Sequence, residues 1–202
     1  ILKYLHIICM KTICFINHKG GTGKTTSTIN VGAALTLVGK KVLLIDFDPQ
    51  ANLTQSCGIV NPPVCIYSSL SKNLPLPIIN IKDDLDLVPA SLDLAGIEIE
   101  LSARMARETY LKKLFYGMQT KYDCVLIDCP PSLGLLTINA LVASNKVLIP
   151  MEAEYLAFRG VNGIINISNS VKEHFNPSLD ISGVFLTKYN SQRKLTHEIE
   201  LG

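Results

Sequence analysis

Residues 19–26, Lys-Gly-Gly-Thr-Gly-Lys-Thr-Thr, follow the apolar stretch Ile13-Cys14-Phe15-Ile16 and lead into a helix candidate at 26–37. The three glycines let the backbone turn tightly and bring bare N–H groups to phosphate oxygens. Lys24 supplies a charge for the β and γ phosphates, and Thr25 supplies a hydroxyl for Mg²⁺. The N-terminus of the helix also favours anions. The stretch therefore predicts a strand, loop and helix that bind a nucleoside triphosphate. The predicted phosphate-binding residues are Gly20, Gly21, Thr22, Gly23, Lys24, Thr25 and Thr26.

The loop departs from the usual pattern Gly-x-x-x-x-Gly-Lys-[Ser/Thr] at its first position. Counting back from Gly23, the first glycine would fall at residue 18, where the chain has His18. A second lysine, Lys19, stands directly before the double glycine. Two lysines around one loop are more than one phosphate group needs, so both Lys19 and Lys24 are candidate catalytic residues.

Length and composition fit one α/β domain. The 202 residues can bury a sizeable core, and the net charge of +2 means that nucleic-acid binding would need a local basic patch. No run approaches the ~20 apolar residues of a membrane span, so no membrane association is expected. The six cysteines lack Cys-x-x-Cys spacing and are expected to be buried thiols in a reducing cytoplasm.

The two ends of the chain differ from its middle. Residues 1–9 precede Met10 and lack a small-x-small cleavage site, so an N-terminal extension upstream of a natural start is expected. Residues 10–202 are predicted to form a single ATPase domain, because no repeat or linker divides them. The segment 195–201 resembles the beginning of a helix, and we expect the chain to be truncated at its C-terminus.

Apolar runs alternate with helical patterns along the chain. The runs at 42–45 and 125–127 are continuous rather than alternating, as expected for parallel strands covered on both faces. This alternation predicts an α/β fold: a doubly wound, mostly parallel sheet with helices on both faces and ligands at the carboxyl ends of its strands. The predicted strands are 12–17, 42–46, 85–88, 124–128, 146–150 and 183–187, and the predicted helices are 25–38, 91–103, 107–119, 134–144, 159–174 and one beginning near 195.

Three carboxylates follow predicted strands. Asp46 and Asp48 lie in Leu44-Ile45-Asp46-Phe47-Asp48-Pro49-Gln50, and Asp128 ends a later strand. A triphosphate site needs a carboxylate near Mg²⁺ and a group that positions the attacking water. We assign Asp128 to Mg²⁺ through a water molecule, and Asp48 to water positioning with a water-mediated contact to the metal. Asp46 is expected to lie farther from the metal than Asp128 and Asp48 and to pair with Lys24.

Two further motifs stand beside the loop at 19–26: Asp46-Phe47-Asp48-Pro49-Gln50-Ala51-Asn52 and Asp128-Cys129-Pro130-Pro131-Ser132-Leu133. Together the three resemble the deviant Walker A, Walker A′ and Walker B motifs of the ParA/Soj family of chromosome and plasmid partitioning ATPases. The resemblance covers nearly everything from Met10 onward. Other segments similar to the family are 89–91, 98–101, 139–141 and 150–155.

The resemblance implies ATP and Mg²⁺ as cofactors and a face-to-face homodimer that forms with ATP. Lys19 of each subunit would reach the phosphates held by the other, so a cation arrives on assembly to meet the charge of the transferred phosphoryl group. Slow hydrolysis, stimulated by a ParB-like centromere-binding protein, would dissolve the dimer. The dimer would bind DNA without sequence preference and segregate a plasmid or chromosome, which implies a cytoplasmic, nucleoid-associated protein.

The family binds DNA through basic residues in its C-terminal part. The corresponding region here is 186–195, where Lys188, Arg193 and Lys194 form a cation cluster or else lie on an ordinary solvated loop. Other residues are left open between an interface role and an ordinary surface role: Glu152, Glu154 and Tyr155 after the strand at 146–150, and Arg104 and Arg107 on a helix.

Three other functions stay open. A MinD-type ATPase that positions the division site at a membrane would need an amphipathic basic helix near its C-terminus. An iron–sulphur ATP-driven reductase would need cysteines that bridge a cluster at the dimer interface, and Cys129 is the candidate beside the third motif. A nucleotide-binding module without hydrolysis is the third alternative.

Overall fold

The computed structural model describes residues 10–153 and 157–189, with the backbone alone for 157–159. Seven strands in this part of the chain form one sheet. The strands are β1 (Lys11–Phe15), β2 (Val42–Asp46), β3 (Ile79–Lys82), β4 (Leu85–Val88), β5 (Cys124–Asp128), β6 (Lys146–Glu152) and β7 (Asp180–Thr187). The α-helices are α1 (Lys24–Leu37), α2 (Asn52–Ser56), α3 (Ile66–Lys72), α4 (Ile97–Ser102), α5 (Tyr110–Leu114), α6 (Leu135–Ala143) and α7 (Ala157–His174), and 3₁₀ helices cover Leu92–Gly96 and Arg107–Thr109.

The strand order in the sheet is β3-β4-β2-β5-β1-β6-β7. Every neighbouring pair is parallel except β3 and β4. Strands β2 to β5 lie on one side of β1, and β6 and β7 lie on its other side. The strand order therefore reverses at β1. Ligands of such sheets bind at the carboxyl ends of the strands beside this reversal. The predicted doubly wound, mostly parallel sheet is confirmed.

Alternate residues of the central strands face two separate cores. Leu43 and Ile45 of β2 belong to one cluster of buried side chains, and Val42 and Leu44 belong to the other. All five residues of β2 are buried, which requires helices on both faces of the sheet. On one face α1 approaches very closely at Gly32, where an added β-carbon would lie 2.6 Å from a methyl group of Leu44. The absence of a side chain at Gly32 therefore sets the depth at which α1 packs.

A carboxylate from α4 stabilises the start of α6. Glu98 Oε1 accepts a hydrogen bond from the Leu136 backbone N–H at 3.0 Å. A β-carbon on Gly134 would approach the same oxygen to 2.5 Å, so glycine is needed where the chain enters α6. Because the segment after β5 ends at this point, Glu98 also anchors the loop that follows Asp128.

Three elements were not predicted. Helices α2 and α3 are only five and seven residues long, and α3 lies between two proline-rich segments that indicated irregular structure. Strand β3 is an antiparallel edge strand whose residues alternate between half-buried and exposed. A short strand of this kind lacks the continuous apolar run by which the central strands were recognised.

Two long predicted helices are broken into shorter pieces. The predicted helix at 91–103 begins as a 3₁₀ helix after Ser91 and continues as α4 from Ile97. The Ser91 hydroxyl accepts a hydrogen bond from the Asp93 N–H at the start of the 3₁₀ helix. The predicted helix at 107–119 holds a 3₁₀ turn and then α5, which ends at Leu114. Ala106 adopts a left-handed backbone conformation with φ 52°, which ends any continuous helix between the two segments. In the described part of the chain, no helix is both long enough and apolar enough to span a bilayer.

Candidate nucleotide-binding site

The loop between β1 and α1 has the backbone geometry of an anion-binding turn. Gly21 and Gly23 adopt left-handed conformations with φ 76° and 86°, which β-carbon-bearing residues rarely adopt. Gly23 directly precedes α1, and the first turn of α1 has no acidic residue and no side-chain cap. The first N–H groups of a helix lack partners within it, so those of α1 point toward whatever anion the loop holds.

Neighbouring strands hold the loop in place. Asn17 Nδ2 donates to the Pro150 carbonyl at 2.7 Å, and Asn17 Oδ1 accepts from the Lys19 N–H at 3.0 Å. The Thr187 hydroxyl at the end of β7 donates to the Thr22 carbonyl at 2.9 Å. The loop is therefore fixed to both β6 and β7.

His18 occupies the position where the usual pattern has glycine. Its imidazole packs against the backbone of Gly160 on α7, in space that a β-carbon at Gly160 would fill. No role for His18 was predicted from the sequence. In the structure it joins the start of the phosphate loop to α7.

Lys24 is buried at the first position of α1. Its ammonium group donates to the Lys19 carbonyl at 3.2 Å, so the backbone of one lysine orients the side chain of the other. Burial lowers the pKa of Lys24, while the charges of Asp128, Cys129 and Asp48 oppose that shift. The carboxylates of Asp128 and Asp48 therefore favour a cation at the base of the loop, which is compatible with the predicted role of Lys24 in binding phosphate.

Asp128 lies at the carboxyl end of β5 with both carboxylate oxygens buried. Within the described residues, neither oxygen has a hydrogen-bond partner of good geometry. Burial raises the pKa of Asp128 to about 7, although the nearby Thr25 hydroxyl favours the ionised form and Asp46 disfavours it. A buried carboxylate without a partner is costly and suits a divalent cation, directly or through a water molecule. The residues predicted for Mg²⁺ therefore fit the ion, and Thr25 stands close enough to share it.

Asp48 lies in the turn that follows β2. Its Oδ1 accepts from the Gln50 N–H at 2.9 Å, and its carbonyl accepts from the Ala51 N–H at 2.9 Å. These bonds fix the turn while the side chain lines the same cleft as Lys24 and Thr25. The position is compatible with the predicted role in orienting water.

Asp46 does not pair with Lys24, and that prediction is wrong. Its Oδ2 accepts from both the N–H and the hydroxyl of Thr54, at 2.8 and 2.6 Å, and its Oδ1 accepts from the Asp48 N–H at 3.2 Å. Burial raises the pKa of Asp46 to about 6, against the hydrogen bonds from Thr54. The side chain points back toward α2 because that helix, unrecognised in the sequence, supplies better donors than Lys24. Asp46 therefore holds the turn that carries Asp48.

Lys24, Thr25 and Asp48 line an open cleft of about 630 Å³ at the carboxyl edge of the sheet, whereas Asp46 and Asp128 are buried and do not line it. That volume falls within the range of small-molecule sites. Gly20, Gly21, Gly23, Lys24, Thr25 and Thr26 from the predicted phosphate-binding set line it, whereas Thr22 is buried beneath the loop. Sequence reasoning did not assign the other lining residues to the site, which are Ser27 of α1, Gln50, Asn52 and Ser56 of α2, Pro131, and Thr187 of β7, and it assigned Lys188 a different role.

Several residues left open by the sequence have structural roles. Arg104 donates to the carbonyls of Leu70 and Ser71 at the end of α3, and Arg107 donates to the Ser102 carbonyl. Glu152 pairs with Lys188. Glu154, Tyr155, Arg193 and Lys194 lie outside the described residues.

Cys129 does not suit a cluster ligand between subunits. Its thiol is fully buried in the core and shares a hydrogen bond with Cys14, which raises the pKa of Cys129. A bridging ligand would have to face the partner subunit. The position of Cys129 therefore counts against the iron–sulphur alternative.

Comparison with known proteins agrees with this geometry. A sequence model of the AAA domain family matches residues 10–181. The chromosome-partitioning ATPase Soj of Treponema pallidum is 43% identical over 196 residues, which are 94% of this chain and 76% of that protein. The chain belongs to the ParA/Soj family. A second member, the sporulation initiation inhibitor protein Soj of Bacillus subtilis, is 45% identical over 190 residues, or 92% of this chain and 75% of that protein.

Solved structures share the fold of this ParA/Soj member. The cobyrinic acid a,c-diamide synthase of Mycobacterium smegmatis, solved with bound ADP and magnesium, has a TM-score of 0.91 and 37% identity and covers 95% of this chain and 80% of its own. Its name denotes a different reaction, so this likeness concerns the fold and the nucleotide rather than the cellular task.

Replacing Asp128 by asparagine is expected to stabilise the protein in the absence of Mg²⁺ and nucleotide. Burial without a hydrogen bond of good geometry disfavours the ionised carboxylate in the folded protein, so its cost is absent below the unfolded pKa of about 4, grows as the pH rises to the folded pKa of about 7 and is constant above it. We expect Tm to rise by about 2–4 °C at about pH 8, or ~1 kcal/mol in a domain of this size, and the gain to shrink at about pH 5. Thermal melts of both proteins in EDTA at the two pH values test this. A lower Tm for the variant at the higher pH would contradict it.

Proposed function

We propose that this chain is the ATPase of a DNA-partitioning system, which hydrolyses ATP slowly, dimerises when ATP is bound and works with a ParB-like partner. The observation that carries the ATPase part is the buried Lys24 in the lining of the open cleft, with the carboxylate of Asp128 buried close to it and without a hydrogen bond of good geometry among the described residues. A cation for phosphate and an unsatisfied carboxylate for a metal are the two charges that a Mg²⁺-nucleotide requires. The predicted cofactors, ATP and Mg²⁺, agree with the ADP and magnesium of the related crystal structure.

Each residue of the cleft has a part in this reaction. The loop N–H groups and Lys24 bind the polyphosphate, and the Thr25 hydroxyl together with Asp128 would hold Mg²⁺. Mg²⁺ neutralises charge on the β and γ phosphate oxygens when it is bound. Asp48 orients the attacking water in line with the leaving oxygen. The turn that carries Asp48 is held by Asp46, which is itself held by Thr54.

Lys19 supplies the charge that this chain lacks at the γ phosphate. Its side chain is exposed, whereas its backbone is bonded into the loop by Asn17, Thr22 and Lys24. A flexible cation on a rigid base suits delivery to the phosphates of a second copy. ATP-dependent dimerisation therefore completes the site, and hydrolysis separates the two copies.

The partitioning part rests on the two Soj relatives, which are 43% and 45% identical to this chain. We propose that the ATP-bound dimer binds DNA without sequence preference, so that the protein resides on the nucleoid in the cytoplasm. The experiment is DNA binding in ATP and in ADP over a salt series. ATP-dependent binding that weakens steeply with salt supports partitioning, because phosphate contacts release counterions. Binding to anionic lipid vesicles in ATP without binding to DNA would favour the MinD-type alternative instead.

Replacing Asp48 by alanine is expected to leave ATP binding intact and to slow turnover by about 100-fold, the usual contribution of a group that handles a proton or orients water. The variant should therefore accumulate as ATP-bound dimer. Phosphate release and sedimentation velocity in ATP measure the two effects. Asp93, which is exposed and far from Lys24, offers the matched control substitution. Unchanged turnover in the Asp48 variant would remove this residue from the mechanism.

A further inference from the structure

Lys188 lies at the mouth of the nucleotide cleft, directly after β7. It adopts a left-handed backbone conformation with φ 51°, which is uncommon for a residue with a β-carbon. Its ammonium group donates to Glu152 Oε1 at 2.6 Å. A β-carbon built on Gly21 would lie 4.0 Å from the same nitrogen. The side chain therefore crosses from β7 to the edge of the phosphate loop.

The contacts around Lys188 fix its base relative to the loop. Thr187, the preceding residue, donates to the Thr22 carbonyl at 2.9 Å and to the Met151 carbonyl at 3.3 Å. Thr187 is also the sheet neighbour of Glu152. The ends of β6 and β7 and the phosphate loop are thus joined to one another. The backbone of Lys188 is therefore held in a fixed position relative to the loop.

The pair of Lys188 and Glu152 is unequal in exposure. The Lys188 side chain is 64% exposed, whereas that of Glu152 is 17% exposed. An exposed ion pair stabilises a fold little, so this contact has little value as a structural element. A lysine on a flexible four-carbon stem exchanges partners easily when a more strongly charged group comes within reach.

We propose that Lys188 is a further phosphate-contacting residue of the nucleotide site, which exchanges the carboxylate of Glu152 for the polyphosphate when nucleotide binds. This rests on the proposed function, because it requires a nucleotide in the cleft. Gly21 and Lys188 line the same cleft, so a polyphosphate held by the loop would lie within reach of the Lys188 ammonium group. Glu152 competes with the polyphosphate for the same ammonium group, so it lowers nucleotide affinity while it keeps Lys188 in position.

The test compares the dissociation constants of ATP and ADP for four proteins: the wild type, Lys188→Met, Glu152→Gln and the double variant. Lys188→Met should weaken binding about 10-fold, near the low end of the value of one charge-assisted hydrogen bond, and Lys188→Arg should restore most of it. Glu152→Gln should tighten binding about 2–3-fold, because the competing charge is gone. Lys121→Met is the control, since Lys121 is exposed before the amino end of β5, at the opposite edge of the sheet.

The double variant decides between exchange and simple repulsion. If Glu152 acts through Lys188, Glu152→Gln changes nothing once Lys188 is methionine. An equal gain in both backgrounds would mean that Glu152 repels phosphate directly and would overturn the exchange. Unchanged affinity in Lys188→Met would remove Lys188 from the site, with the proposed function intact. A wild type that binds no nucleotide would overturn the function and the exchange together.

Discussion

Replacing Lys24 by alanine is expected to weaken ATP binding by at least ~100-fold, because removing one partner of a buried charge pair costs about 3–5 kcal/mol. Lys24 is buried, and its ammonium group is already oriented by the Lys19 carbonyl before nucleotide binds. The cation that would meet the phosphates is therefore preorganised. The variant also leaves Asp48 in the cleft lining and the buried Asp128 without the charge of Lys24, so the remaining negative charge repels the polyphosphate.

Titration with a fluorescent ATP analogue measures this loss. The matched control is Lys121→Ala, which removes the same charge from an exposed position on the opposite edge of the sheet. Circular dichroism and a thermal melt show whether the variant is folded. We expect a folded variant with a lower Tm, since Asp128 and Asp48 lose the charge of Lys24 while the cost of burying that charge is removed. A folded variant that binds ATP within about threefold of the control would contradict the role of Lys24.

Replacing Lys19 by alanine is expected to preserve ATP binding while turnover falls about 1,000-fold or more, as when a catalytic cation donated in trans is lost. The Lys19 backbone holds the loop: its N–H donates to Asn17, and its carbonyl accepts from Thr22 and Lys24. Alanine keeps all of these contacts. The substitution therefore removes the side chain and leaves the shape of the loop unchanged.

Three measurements separate the roles of Lys19. The dissociation constant of ATP should match that of the wild type, and both the ATP-dependent increase in sedimentation coefficient and phosphate release should be lost. A mixture of Lys19→Ala with Asp48→Ala tests donation in trans. In a mixed dimer, the nucleotide site on the Lys19→Ala copy keeps its own Asp48 and receives Lys19 from the other copy, so one of the two sites is complete. Recovery of turnover in the mixture is the expected result. Normal dimerisation of the Lys19 variant in ATP would refute the trans mechanism.

The central strands were predictable because their chemistry is local. Val42 to Ile45 and Val125 to Ile127 are continuous apolar runs, and the structure places both in the middle of the sheet. Strand β3 and helices α2 and α3 were not predictable because they are short and depend on contacts with distant parts of the chain. Strand β3 depends on its pairing with β4, and α2 is held by the hydrogen bond from Thr54 to Asp46. The break at Ala106 has no signal in the sequence, since alanine usually continues a helix.

The phosphate loop was predictable for the same reason, since its residues are contiguous. The direction of each side chain was not. Asp46 follows a strand just as Asp128 does, but α2 supplies it with donors and Asp128 has none among the described residues. Thr187, the neighbour of Lys188, lies 165 residues after Thr22, to which it donates a hydrogen bond. Only the pairing of β6 with β7 brings Lys188 to the cleft.

The place of β1 in the sheet has a consequence for synthesis. β1 is the first strand to leave the ribosome, but its neighbours are β5 and β6, and Lys11 pairs with Cys124 about 110 residues later. At the usual rate of translation those residues take about 5–20 s to appear. During that time the apolar strand and the glycine loop have no sheet to join, and long-range parallel pairing is slow to form. Nascent chains that end before β5 are therefore expected to need protection from aggregation and to gain affinity for nucleotide only after β6 has emerged.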